Sequence, residues 1–119
     1  MTKLFTYKER GKQFLKEKNY LEAVNNFVKA LEINPEDPLS WKFRGESKYY
    51  LEQYEEAIND FDKALEMNPE DPLNWKGKAV IKFALSKYEE AINDVDKALE
   101  INPEDFICWK FRGLCKYDL

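Results

Sequence analysis

One phrase occurs three times in this chain and closes on tryptophan each time. It reads Asn34-Pro35-Glu36-Asp37-Pro38-Leu39-Ser40-Trp41, then Asn68-Pro69-Glu70-Asp71-Pro72-Leu73-Asn74-Trp75, then Asn102-Pro103-Glu104-Asp105-Phe106-Ile107-Cys108-Trp109. Trp41, Trp75 and Trp109 therefore stand 34 residues apart. A fixed period of this length implies a stacked array, in which each unit buries its apolar face only against its neighbours. Such a chain is expected to act through a surface that holds a partner, with no pocket that performs chemistry.

Two helical patterns alternate within each period. Tyr54, Ala57, Ile58, Phe61, Ala64 and Leu65 fall at the i, i+3, i+4, i+7 spacing of a helix with one apolar stripe. The stripe recurs as Tyr20, Ala23, Val24, Phe27, Ala30, Leu31 and as Tyr88, Ala91, Ile92, Val95, Ala98, Leu99. Its alanines let a neighbouring helix come close. The other helix carries Trp41, Gly45 and Tyr49 on one face. Gly11, Gly45 and Gly113 recur in register, with Ala79 in the third unit. A helix-interior glycine costs about 1 kcal/mol against alanine, so its repetition predicts two helices nearly touching there. Pro35, Pro69 and Pro103 end the preceding helices. Asp37 and Asp71 are predicted N-caps, with Pro38 and Pro72 at the first helical position.

The sequence of Trp, Gly four residues on, Tyr-x-x-Ala, Phe, Ala-Leu and Asn-Pro resembles the tetratricopeptide repeat family. The resemblance covers units 4–37, 38–71 and 72–105 plus a trailing helix over 106–119. Tyr7 stands in place of the first Trp, Val95 in place of the Phe, and Lys48, Lys82 and Lys116 sit where many members have an apolar residue. The resemblance implies a single all-α domain, a right-handed α-solenoid of antiparallel helix pairs: three repeats and one C-terminal helix.

It also implies a concave groove lined by the first helices. Carried over by register, the expected peptide-binding residues are Lys8 and Lys12, then Lys42, Phe43, Tyr49 and Tyr50, then Lys76 and Phe83, then Lys110 and Phe111. Lys8, Lys42, Lys76 and Lys110 form one rung per repeat, with rigid aromatic surface between the rungs. The first-helix stretches 4–17, 38–51, 72–85 and 106–119 are each net basic, whereas 18–37, 52–71 and 86–105 are each net acidic, although the whole chain carries −4. This partition would steer an acidic, partly apolar segment to the first helices. Family members that clamp the C-terminal carboxylate of chaperone tails use Lys and Asn, Asn, then Lys and Arg. The aligned residues here are Lys8, Lys12, Phe43, Leu73 and Gly77, of which only Lys8 matches, so a clamp of that kind is not expected.

Composition narrows the remaining classes. With 119 residues, 44% hydrophobic and 35% charged, the chain reads as one small ordered domain. No apolar run reaches the roughly 18 residues of a membrane span, and the first residues lack a signal-peptide core, so no membrane and a cytoplasmic location are expected. There is no histidine, phosphate-binding loop or nucleophile motif, hence no enzyme and no cofactor. A net negative charge without an RNA-module motif argues against nucleic acid. Cys108 and Cys115 are seven residues apart on one predicted helix, roughly 10 Å, too far for a disulfide.

The last helix reads as the first half of a fourth repeat, with nine apolar residues among the 14 from Phe106 to Leu119. An exposed stripe of this size would be a liability on a monomer, so either the chain is a piece of a longer array or another copy covers the stripe. Homo-oligomerisation through this helix, led by Trp109 and Leu114, is the alternative to groove binding of a peptide or protein.

Overall fold

The indole of each repeated tryptophan closes the turn begun by the proline six residues before it. Trp41 Nε1 donates to the Pro35 carbonyl at 2.8 Å, Trp75 to Pro69 at 3.2 Å and Trp109 to Pro103 at 2.9 Å. The ring thereby satisfies a carbonyl left over where the preceding helix ends. The computed structural model describes residues 2–118, so Leu119, the last residue of the expected trailing helix, lies outside them.

Seven helices and no strand occur among the described residues: α1 (Lys3–Lys16), α2 (Tyr20–Ile33), α3 (Pro38–Tyr50), α4 (Tyr54–Met67), α5 (Pro72–Ala84), α6 (Tyr88–Ile101) and α7 (Phe106–Asp118). The fold class is all-α, as expected. The chain divides into two compact units, Met1–Met67 and Asn68–Leu119. In the first, α1 packs on α2, α2 on α3 and α3 on α4; in the second, α5 packs on α6 and α6 on α7. None of the described helices is long and apolar enough to cross a membrane.

The core of each unit comes from the repeated stripe. Ala23, Phe27, Ala30, Ala57, Phe61 and Ala64 are buried in the first unit, and Ala91, Val95 and Ala98 in the second. A Cβ on Gly11 would stand 2.7 Å from the Phe27 ring, and one on Gly45 would stand 3.2 Å from Phe61. These are the close approaches predicted for Gly11 and Gly45, but the expectation fails at Gly113, where a Cβ would meet nothing within 4 Å because no helix packs on that side of α7. In the second unit Ala79 is buried in a cluster with Val95, Ala98, Leu99 and Cys108. The larger residue on the first helix thus meets a smaller one on the second. The two departures from the repeat pattern, Ala79 and Val95, compensate each other in volume.

The caps follow the proline-aspartate phrase with one deviation. Asp71 accepts from the Leu73 amide at 3.0 Å, and Asp105 accepts from Ile107 at 3.0 Å and Cys108 at 3.2 Å. Asp37 also stands at an N-cap, yet its carboxylate makes no capping bond to a backbone amide. It is taken instead by the Ser40 hydroxyl and by Lys8 Nζ. Within each helix pair the turn passes through a left-handed residue that is not glycine: Lys18, Glu52 or Ser86, at φ near 60°. The amides of Asn19, Gln53 and Lys87 reach back to Phe14, Lys48 and Lys82, which closes the helix end in each case.

Candidate functional site

In the first unit, Lys12 on α1 and Phe43 and Tyr50 on α3 line one recess of about 390 Å³. Lys12 Nζ lies 5.9 Å above the Phe43 ring and 3.2 Å from Glu9. Phe43 itself stacks on the buried Phe27 at 5.8 Å, so one face of the ring is spent on the core and the other is left toward the recess. Tyr50 is 48% exposed and stacks on Tyr20 at 4.7 Å. Lys16, Lys18 and Tyr20 complete the basic and aromatic wall, with Leu15 and Glu46. Lys16, Lys18 and Tyr20 lie outside the positions that register alone assigns to the groove. Lys16 was legible as i+4 from Lys12, but Lys18 lies in the turn and Tyr20 begins a second helix.

Glu46 is the one carboxylate of this recess. Burial pushes its pKa above the ordinary glutamate value, and the Lys42 charge opposes that shift. Lys42 is half-buried, with its Nζ 5.4 Å from the Phe43 ring centre. Tyr49 is half-buried too and packs on Tyr54 at 5.9 Å.

The expected lysine rungs are not equivalent. Lys8 Nζ lies 3.1 Å from Asp37, and Lys76 Nζ lies 2.9 Å from Asp105. Each lysine is thus tied to the aspartate that begins the helix two further along. The hydrogen bond from Lys76, followed by the Cys108 amide, pulls the Asp105 pKa from 3.8 to about 2. Burial, with Asp105 next, pushes the Cys108 thiol up to about 11, and burial also raises Cys115. Lys110, by contrast, is exposed. The structure therefore sorts the four rungs into internal pairs (Lys8 and Lys76), a half-buried lysine beside the Phe43 ring (Lys42) and a surface charge (Lys110).

In the second unit Phe83 packs on Phe111 at 5.4 Å and on Tyr88 at 5.4 Å. Phe111 and Lys76 also border an apolar cavity of about 50 Å³ with Ala79, Val80, Val95, Ile107 and Cys108. Trp109 and Leu114 are 50% and 56% exposed. Five residues apart on α7, they point roughly 140° from one another at ~100° per residue, so they do not form one flat patch.

The lysines that replace apolar residues have their own role. Lys48 Nζ reaches Glu56 at 3.4 Å and Asp60 at 3.7 Å, and Lys82 Nζ reaches Glu90 at 3.7 Å and Asp94 at 2.7 Å. Arg44 adds two bonds to Asp60, at 2.8 and 3.0 Å. Buried Asp60 and Asp94 need these cations, since an unpaired buried charge is costly. No group of three or more potential metal ligands occurs among the described residues.

Comparison with known proteins agrees with the helix-pair pattern. One tetratricopeptide repeat family model matches residues 38–71 and 74–105, and a second matches residues 9–37. Among solved structures, the first tetratricopeptide domain of Spaghetti (RPAP3) bound to the HSP90 peptide SRMEEVD is 25% identical, covers 97% of this chain and 91% of that one, and superposes with a TM-score of 0.92. The Arabidopsis OM64 domain is 21% identical over 98% and 96% of the two chains, with a TM-score of 0.94. The yeast Sti1 TPR2B domain, in its pHsp70 complex, is 22% identical over 98% of each chain, with a TM-score of 0.92. The search of curated proteins finds no match. With family models matching most of its length and the helix pairs formed as the repeat requires, the chain belongs to the tetratricopeptide repeat family.

Proposed function

We propose that this chain is a protein-interaction adaptor that binds an acidic, partly apolar peptide segment on the faces of its first helices. The observation that carries this reading is the recess of the first unit, which Lys12, Lys16 and Lys18 line together with the partly buried Phe43 ring and the exposed Tyr50. Cations beside rigid aromatic surface suit a ligand with carboxylates and one or two apolar side chains. In the second unit Lys110, Phe83 and Phe111 offer a smaller set of the same chemistry. Lys8 and Lys76 contribute less, because each already neutralises an aspartate.

The neighbours support a peptide ligand. The first RPAP3 domain is described with the HSP90 peptide SRMEEVD and the second with the HSP70 peptide SGPTIEEVD, and both end in Glu-Glu-Val-Asp. Since four of the five clamp positions differ here, the acidic ligand of this chain is expected to be held mainly along its side chains rather than by its terminal carboxylate. Binding is the role in this reading, and catalysis has no part in it. Self-association through Trp109 and Leu114 has weaker support: the two residues diverge around α7, whose Lys110, Arg112 and Lys116 outweigh Asp118.

The test is a fluorescence titration of acidic heptapeptides carrying one aliphatic residue, SRMEEVD among them, at two salt concentrations. Binding should weaken with salt. Lys12→Glu with Lys16→Glu should cost about tenfold, roughly 1.4 kcal/mol, and Tyr50→Ala about fivefold. Binding that ignores both salt and these substitutions would sink the reading.

A further inference from the structure

Glu46 lines the first-unit recess beside Lys12, Lys16 and Lys18, yet none of these lysines pairs with it. Lys12 is taken by Glu9 at 3.2 Å and leans over the Phe43 ring at 5.9 Å. Among the described residues the Glu46 carboxylate makes no hydrogen bond and no ion pair. Burial raises its pKa, and the only opposing influence is the charge of Lys42 one turn earlier on α3. Its own charge stands, after burial, among the causes that raise the exposed Tyr50 phenol. The acid is also foreign to the repeat pattern. At the same register α1 carries Lys12, α5 Val80 and α7 Leu114.

A half-buried carboxylate that lacks a donor carries a desolvation cost, and a ligand that brings a donor to it removes that cost. The charge of the wall decides what kind of donor. Three lysines against one carboxylate leave the recess net basic, so a cationic side chain would be repelled by most of its surroundings. A ligand carboxylate is welcome beside the lysines but would face like charge at Glu46. An uncharged O–H or N–H meets neither repulsion.

We propose that Glu46 fixes the register of the bound peptide by selecting one uncharged hydrogen-bond donor, a hydroxyl or a carboxamide, set among its acidic residues. This inference rests on the reading of the recess as an acidic-peptide site. The lysines supply attraction along the segment, whereas Glu46 excludes a carboxylate from a single point. Discrimination between acidic sequences then comes from the repulsive element as much as from the attractive ones.

The probes are end-capped heptapeptides of glutamate with one leucine, titrated into the full chain by fluorescence anisotropy. Serine, asparagine, alanine and lysine replace each glutamate in turn. At one position serine and asparagine should bind about tenfold tighter than alanine, and glutamate and lysine should bind more weakly than serine. Glu46→Leu should bring serine and alanine within about twofold there, while helical circular dichroism and the salt dependence remain. Glu46→Gln should keep part of the serine preference and admit glutamate, because a carboxamide both accepts and donates. The failures are distinguishable. Salt-sensitive binding with no position that prefers serine, or a preference that survives Glu46→Leu, overturns the role of Glu46 and leaves the acidic-peptide reading standing. Tighter binding of lysine than serine at that position overturns the uncharged donor. No binding by any of the peptides overturns both.

Discussion

The glycine register shows how one position carries three different energies. A Cβ at Gly11 would overlap the fully buried Phe27 ring at 2.7 Å, so Gly11→Ala should cost about 1–3 kcal/mol by overpacking. Gly113→Ala meets open space and should add about 1 kcal/mol from helix propensity alone. Urea midpoints of the two variants, moving in opposite directions, check this. Combining Gly11→Ala with Phe27→Val copies the Ala79–Val95 pair, and the two changes should couple favourably by about 1 kcal/mol or more in a double-mutant cycle. Titration offers a second residue-scale test. Asp105 is held at about 2, below its ordinary 3.8, so its contribution is present above about pH 4 and disappears as the pH falls through 2. Lys76→Met should therefore be less stable than wild type at pH 5, and the gap should close toward pH 2. The recurring glycines were legible in the sequence, and so was the need for close approach. That Gly113 lacks a covering ring was not, because nothing local to a glycine reports what stands opposite it.

At the scale of the element, helix ends divide into those the sequence announces and those it hides. The Asn-Pro-Glu-Asp phrase marks the turn between repeats, and proline geometry explains why. The turn inside each pair has no such marker. Lys18, Glu52 and Ser86 adopt φ near 60° without being glycine, held there by the amide that reaches back across the helix end. An L side chain in this region costs roughly 1 kcal/mol, so Ser86→Gly should raise stability by about that amount, read as a higher thermal midpoint. Lys48 and Lys82 follow the same logic. As sequence they interrupt an apolar pattern; as structure they neutralise Asp60 and Asp94, whose burial could be recognised only once α3 lay on α4 and α5 on α6.

At the scale of the whole molecule, each unit repeats one contact scheme, and stability should follow how completely each helix is covered. The second unit presents α7 with most of one side open, whereas α2 lies between α1 and α3. Amide hydrogen exchange should accordingly be fastest in α7 and slowest in α2, and uniform protection across the helices would contradict this. Of the candidate site, the basic and aromatic character of the first helices was readable from charge and register. Its internal economy was not: Lys8 and Lys76 look like Lys110 in sequence, and 29 residues separate each of them from the aspartate that occupies it. The sequence by itself determined the period, the helix pairs and the family, because these depend on short-range spacing repeated along the chain. Only the tertiary structure decided which lysines are spent inside the fold, which rings remain half-open and which glycine is uncovered. Those properties belong to the space between helices, and a side chain's availability depends on what is packed against it.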